Sequence, residues 1–120
     1  MPMKTGFEKS VFSDFDLYLF GEGVHDQIYN LMGAHPRTVD GQPGVNFAVW
    51  APGAAEVRVA GDFNEWEGAA SPLRPVGSSG IWELFVPGAR DGQNYRFRIV
   101  DRAGHIHEKS DPYGFYGELV

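Results

Sequence analysis

Val57-Arg58-Val59-Ala60-Gly61-Asp62-Phe63-Asn64-Glu65-Trp66 begins as a strand and ends as a turn. Val57 and Val59 alternate with Arg58 and Ala60, the period of two that half-buries a strand, and Gly61, Asp62 and Asn64 are residue types that close tight turns. Phe63 then points inward and Trp66 outward. An indole there has a structural use, as a rim residue covering the end of a sandwich. It also has a functional one, as a flat apolar platform for a ligand with apolar faces and polar edges.

The same alternation recurs on both sides of this stretch. Val45, Phe47 and Val49 face one way and Asn46, Ala48 and Trp50 the other, until Pro52-Gly53 breaks the run. Residues 81–86 form a strand with apolar side chains on both faces, ended by Pro87-Gly88. Over 93–100 the alternation is cleanest, with Tyr95, Phe97 and Ile99 inward and Asn94, Arg96 and Arg98 outward. Asp101-Arg102-Ala103-Gly104 reads as a hairpin turn into a last strand at 106–109. Residues 68–80 are mostly loop, with a short edge strand at 73–76, because Pro72 and Pro75 cannot donate to a central ladder. About six short strands at roughly 10-residue spacing predict an all-β, immunoglobulin-like antiparallel β-sandwich rather than a parallel sheet.

Upstream the pattern is helical. Residues 1–11 show no periodicity and read as a frayed terminus. Ser13-Asp14-Phe15-Asp16 is a capping-box start for a short helix over 14–20 that stops at Gly21. Val24, Ile28, Leu31 and Met32 suggest a second short helix ending at Gly33, which can take positive φ. The pair Gly21 and Gly23 lacks the spacing and the preceding strand of a phosphate loop. Phe15, Leu17, Leu19, Phe20, Ile28 and Leu31 carry more apolar surface than a loop exposes, so the lead-in docks on the sandwich edge or shares that surface with another domain. The chain divides into an extension at 1–36, a sandwich at 37–113 and the start of a linker at 114–120.

Composition removes several classes of function. With 120 residues the chain is one domain and cannot hold a (β/α)₈ barrel, which takes roughly 250. A formal charge of −6 leaves no basic footprint for nucleic acid or an anionic membrane. There is no cysteine, hence no disulfide scaffold, and no apolar leader or membrane-length run, so a cytoplasmic location is expected. His105 and His107 share a strand face near Asp101 and Glu108, but no further His or Cys completes a zinc set, so a solvated pair and no metal are expected. Asp62, Glu65 and Glu67 sit beside a turn, where nothing singles out one acid with a raised pKa. With no Gly-x-Ser-x-Gly elbow and no Cys nucleophile, no catalytic residue and no cofactor are assigned.

Gly61-Asp62-Phe63-Asn64-Glu65-Trp66 resembles the Gly-x-Phe-Asn-x-Trp signature of carbohydrate-binding module family 48, the glycogen- and starch-associated β-sandwich modules. The segments at 44–52, 80–88, 95–97 and 110–113 are similar to the module preceding the catalytic barrel of bacterial glycogen branching enzymes. Tyr18 to Gly23 and Leu31 to His35 resemble the lead-in of those enzymes. The series covers roughly residues 14–117 and is specific by its order. It implies a parent that cleaves α-1,4 links and transfers the segment to a 6-hydroxyl, with nucleophile and acid in a barrel outside this chain. Asp111-Pro112-Tyr113-Gly114 would hold the chain extended toward that barrel.

The resemblance implies a glucan site with Trp66 as platform and Arg96 as edge donor, at a position where glycogen-targeting members carry lysine; Asn64 and Asn94 complete the candidate set. One departure stands out: the second tryptophan of those members is replaced by Ile106. Covering about 60–80 Å² of one indole face contributes roughly 1.5–2 kcal/mol. Two hydrogen bonds add about 1 kcal/mol each. Against the entropy of association this supports about millimolar affinity for an α-glucan. The alternatives are an independent glycogen-binding module and a purely structural interaction domain.

Overall fold

The computed structural model describes residues 9–23, 27–64 and 71–110. In chain order its elements are α1 (Asp14–Gly21), β1 (Gly33–Val39), β2 (Gln42–Trp50), β3 (Ala54–Gly61), β4 (Ser71–Pro72), β5 (Arg74–Pro75), β6 (Ile81–Pro87), β7 (Tyr95–Asp101) and β8 (Ile106–Lys109). The strands pair antiparallel into two four-stranded sheets, β1-β2-β6-β5 and β4-β3-β7-β8. This is the immunoglobulin-like sandwich that the alternation implied.

Its interior follows the period of two. Val45, Phe47 and Val49 of β2, with Trp82, Leu84 and Val86 of β6, face Val57 and Val59 of β3 and Phe97 and Ile99 of β7. Phe47 is the hub, with the rings of Phe63, Tyr95 and Phe97 at centroid distances of 5.2, 5.1 and 6.3 Å. Inward-pointing Phe63 thus anchors the turn that follows β3.

β2 is buried on both faces from Gly44 to Val49, because the lead-in roofs the outer face of the first sheet. Phe12, Ile28 and Met32 pack there on Ala48 and Ile81, with Leu17, Phe20, Leu31 and Trp50 around them. The lead-in therefore docks on a sheet face, not on the sandwich edge. Helix α1 starts as its sequence dictates: Ser13 Oγ accepts from the Asp16 N–H at 3.0 Å, and the Asp16 carboxylate accepts from the Ser13 N–H at 2.9 Å. Its Phe15 and Tyr18 remain exposed on the far side.

The second helix is a correction. Val24 lies outside the described residues, and downstream there is a single 3₁₀ turn, Ile28–Asn30, before Gly33 (φ 85°) opens β1. The sequence reading placed no strand before Gly44, yet β1 pairs with β2 along its whole length and crosses the 36/37 boundary. Asp40 and Gly41, at φ 52° and 82°, make the two-residue Asp-Gly hairpin loop between them. Pro36 is tolerated because β1 is an edge strand.

Between β3 and β6 the chain forms two edge strands in place of the single one expected. Each holds a proline, and at Leu73 the chain crosses from the second sheet to the first, its side chain buried and its N–H donating to Val57 O at 2.8 Å. The expected frayed residues 1–8 and the exit segment Asp111-Pro112-Tyr113-Gly114 with its linker lie outside the described residues. No helix among the described residues is long and apolar enough to cross a membrane.

Beneath the lead-in lies a polar network that sequence reasoning missed. Glu83, 3% exposed, accepts from the Val11 N–H at 3.1 Å and from Asn46 Nδ2 at 2.9 Å. Asn46 Oδ1 accepts from Arg37 Nη1 at 2.8 Å. Arg37 also donates to Lys9 O and lies 5.7 Å from the centroid of the Phe85 ring. A glutamate inside the apolar run Ile81-Trp82-Glu83-Leu84-Phe85 was the available signal.

Candidate functional site

With the first sheet roofed, the sheet face left open among the described residues is the outer face of the second. Alternation along β3 turns Arg58 and Ala60 outward, along β7 Arg96 and Arg98, and along β8 Glu108. The register sets Ala60 beside Arg96, Arg58 beside Arg98 and Arg98 beside Glu108. Ala60, Arg96, Arg98 and Glu108 line a shallow groove of about 190 Å³. The Glu108 carboxylate accepts from Arg96 Nη1 at 3.3 Å and from Arg98 Nε at 3.2 Å. Half-exposed ion pairs of this kind contribute at most about 1 kcal/mol, so their effect is to orient the guanidinium beside the methyl-sized floor of Ala60.

The turn after β3 shows why its residues occur in that order. A Cβ on Gly61 would lie 2.5 Å from Asn94 O and 2.7 Å from the Phe63 ring, so only glycine lets β3 and the start of β7 approach this closely. Asn64 Oδ1 accepts from the Gly61 N–H at 2.9 Å, and its Nδ2 donates to Val59 O at 3.0 Å. Both ends of that amide close the turn. Asp62 exchanges bonds with exposed Asn94, its N–H donating to Asn94 O at 3.1 Å and its carboxylate accepting from the Asn94 N–H at 3.0 Å. Trp66, Glu65 and Glu67 lie outside the described residues. The structure therefore brings Arg96, Asn94 and Asn64 to one end of the second sheet, with Arg96 and Asn94 exposed and Asn64 half-buried.

Ile106 is exposed and pairs with Val100. Val100 lies four residues along β7 from Arg96, so Ile106 beside it on β8 is set roughly 13 Å along the sheet from that position at the usual strand rise.

The far end of the sheet is organised by Asp101. Its carboxylate accepts from the N–H groups of Ala103 and His105, both at 2.9 Å, and lies 2.9 Å from His107 Nε2. The His107 bond first, then the His105 N–H, pull its pKa from 3.8 down to about 2. His105 is exposed, with Nδ1 3.7 Å from the same carboxylate. Among the described residues no three His, Cys, Asp or Glu converge on a metal position. The depressed pKa fixes a pH dependence. Between about pH 4 and pH 2 the unfolded chain binds a proton that the folded hairpin does not, so stability falls as pH drops through that window. Protection of the Ala103 and His105 amides, taken relative to the intrinsic exchange rate at each pH, should fall through that window in the native chain, and Asp101→Asn should flatten the dependence.

Fold and site together describe a β-sandwich module with a polar groove on the outer face of its second sheet. Residues 31–114 match the family model Carbohydrate-binding module 48 (Isoamylase N-terminal domain), and the chain belongs to that family. It is 57% identical over 110 residues to the 1,4-alpha-glucan branching enzyme GlgB of Rhodopirellula baltica, a match that takes in 92% of this chain and 15% of the relative. To the enzyme of the same name from Methylococcus capsulatus it is 56% identical over 108 residues, 89% of this chain and again 15% of the relative. The chain thus spans about 15% of the length of these relatives. Among solved structures, a pullulanase variant from Paenibacillus barengoltzii complexed with maltotriose superposes with a TM-score of 0.50 at 24% identity, over 83% of this chain and 14% of the other. That likeness is one of fold.

Proposed function

We infer that this chain is the non-catalytic module of a 1,4-α-glucan branching enzyme, holding α-glucan weakly on its second sheet and positioning a catalytic barrel in the cytoplasm. The observation that carries the binding half is the Arg96 guanidinium, fixed by Glu108 over Ala60 on the one sheet face the lead-in leaves open. A pyranose presents C–H groups on its face and hydroxyls on its rim. An indole takes the first and a guanidinium the second. Trp66 follows Asn64 by two residues in sequence, so its tether to this end of the sheet is short. Asn64 acts in this reading by shaping the turn, and Asn94 by lining its flank. The parent reaction, transfer of an α-1,4-glucan segment to form an α-1,6 branch, uses residues outside this chain.

The positioning half is supported by the lead-in. The family model begins at residue 31, whereas the branching-enzyme matches take in most of the lead-in as well. A barrel docked on α1 would cover Phe15 and Tyr18, which the sandwich leaves exposed.

Titrating maltoheptaose into the chain to tens of millimolar, about ten times the expected dissociation constant, tests the binding half through tryptophan fluorescence. A saturable change that Trp66→Ala abolishes, and that Arg96→Ala weakens about fivefold for one lost hydrogen bond, is the expected result. No saturable change in the native chain would leave only the architectural role.

A further inference from the structure

We propose that the chain carries a second, shorter glucan-binding cleft, in the lateral opening of the sandwich between β1 and the turn at 90–93. This rests on the reading above that the ligand is an α-glucan. The cleft has a volume of about 410 Å³, within the range that encloses small ligands and enough for one or two glucosyl units. Its floor is aromatic, with buried Phe47 and half-buried Tyr95 meeting edge-on at 5.1 Å.

The rim is polar in both senses. His35 Nε2 lies 2.6 Å from Met32 O, and a carbonyl only accepts, so Nε2 carries the proton and Nδ1 is the acceptor of the neutral ring. Gln93 Oε1 accepts from the Arg90 N–H at 2.7 Å, which leaves its amide nitrogen as the outward donor. The side chains of Arg90 and Asp91 are exposed and form no hydrogen bond or ion pair with the described residues. Two donors and two acceptors therefore ring an aromatic floor.

That combination selects against the other ligand classes. A purely apolar ligand would strip water from four polar groups and return nothing. An anion would meet Asp91 and a cation Arg90. A neutral polyhydroxyl compound, whose every hydroxyl both donates and accepts, satisfies all four while its C–H face rests on Tyr95. Tyr95 and Arg96 are consecutive on β7 and point to opposite faces, so the cleft and the outer groove flank the same strand end. A branched or long glucan that occupies both gains affinity by effective concentration, without either site being tight.

The test is a ¹H–¹⁵N NMR titration of the chain with maltotriose. The Gly92 and Gln93 amides and the His35 ring should shift saturably in the native chain and equally in Trp66→Ala. The double variant Arg90→Ala, Asp91→Ala, altered only at exposed positions, should bind about 30-fold more weakly there, as two lost hydrogen bonds require, with shifts around Arg96 retained. Saturable shifts around Arg96 with silence at 92 and 93 would overturn the cleft and leave the outer-face reading intact. Shifts at 92 and 93 that the double variant does not weaken would overturn the assigned rim. Shifts at 92 and 93 alone would keep the cleft and remove the outer-face site, and no saturable shift anywhere would end both.

Discussion

Phe47→Ala should cost about 3–5 kcal/mol of folding stability, the range for removing a fully buried aromatic ring. Phe47 is 2% exposed, and its ring meets those of Phe63, in the turn after β3, and of Tyr95 and Phe97 on β7. Collapse into the resulting hole is limited, because Phe63 belongs to a turn pinned by Asn64 and Tyr95 to a strand paired at Gly61. For a domain with about 5–15 kcal/mol in hand, that loss takes about a fifth of the total or more. Urea unfolding should show the midpoint falling with the slope unchanged. The same variant should bind maltoheptaose more weakly under conditions where it is still folded, since Phe63 loses the ring that holds the turn before Trp66. A loss below about 1 kcal/mol would mean that the ring is not the centre of the core.

The strands were legible because one simple rule, a period of two, governs any sheet with one wet face. It placed Phe97 and Ile99 inside and Arg96 and Arg98 outside, and it placed the hairpin at Asp101 to Gly104. It could not show what covers the other face of the first sheet. Ala48 and Ile81 alternate as outward residues of β2 and β6, and only the docking of Phe12, Ile28 and Met32 makes them core. β1 was missed for a related reason: His35, Pro36, Arg37 and Thr38 carry little β-pattern, and the strand is specified by its Asp40-Gly41 loop and by pairing with β2 rather than by its own residues. In the site, residue types announced the turn but not the division of labour inside it. Asn64 has the chemistry of a sugar ligand, yet both ends of its amide bond backbone. Glu108, which orients Arg96, could be paired with it only once the β7–β8 register was known. The cleft beside His35 draws on segments more than fifty residues apart, a proximity that no local pattern encodes.

Glu83→Ala should destabilise the chain by about 2–4 kcal/mol, through hydrogen bonding rather than volume. Two donors lose their acceptor at once: the Val11 N–H and Asn46 Nδ2 both bond Glu83 Oε2, and a buried donor left unpaired costs about 1–3 kcal/mol. Rotating the Asn46 amide does not rescue them, because its Oδ1 would then turn away from Arg37 Nη1 and that guanidinium would lose a partner in its place. Glu83→Gln keeps one acceptor oxygen in the same volume, so it should cost markedly less. The two variants thereby separate the loss of an acceptor from the loss of a charge. The damage should also be local before it is global. Val11 is the point where the lead-in is stitched to β6, so amide exchange at Val11, Phe12 and the first turn of α1 should rise in Glu83→Ala while Val57, Phe97 and Ile99, in the other core, stay protected. If the sandwich strands lose protection together with the lead-in, roof and sandwich form one cooperative unit, and α1 cannot act as a separately dockable surface for a catalytic domain.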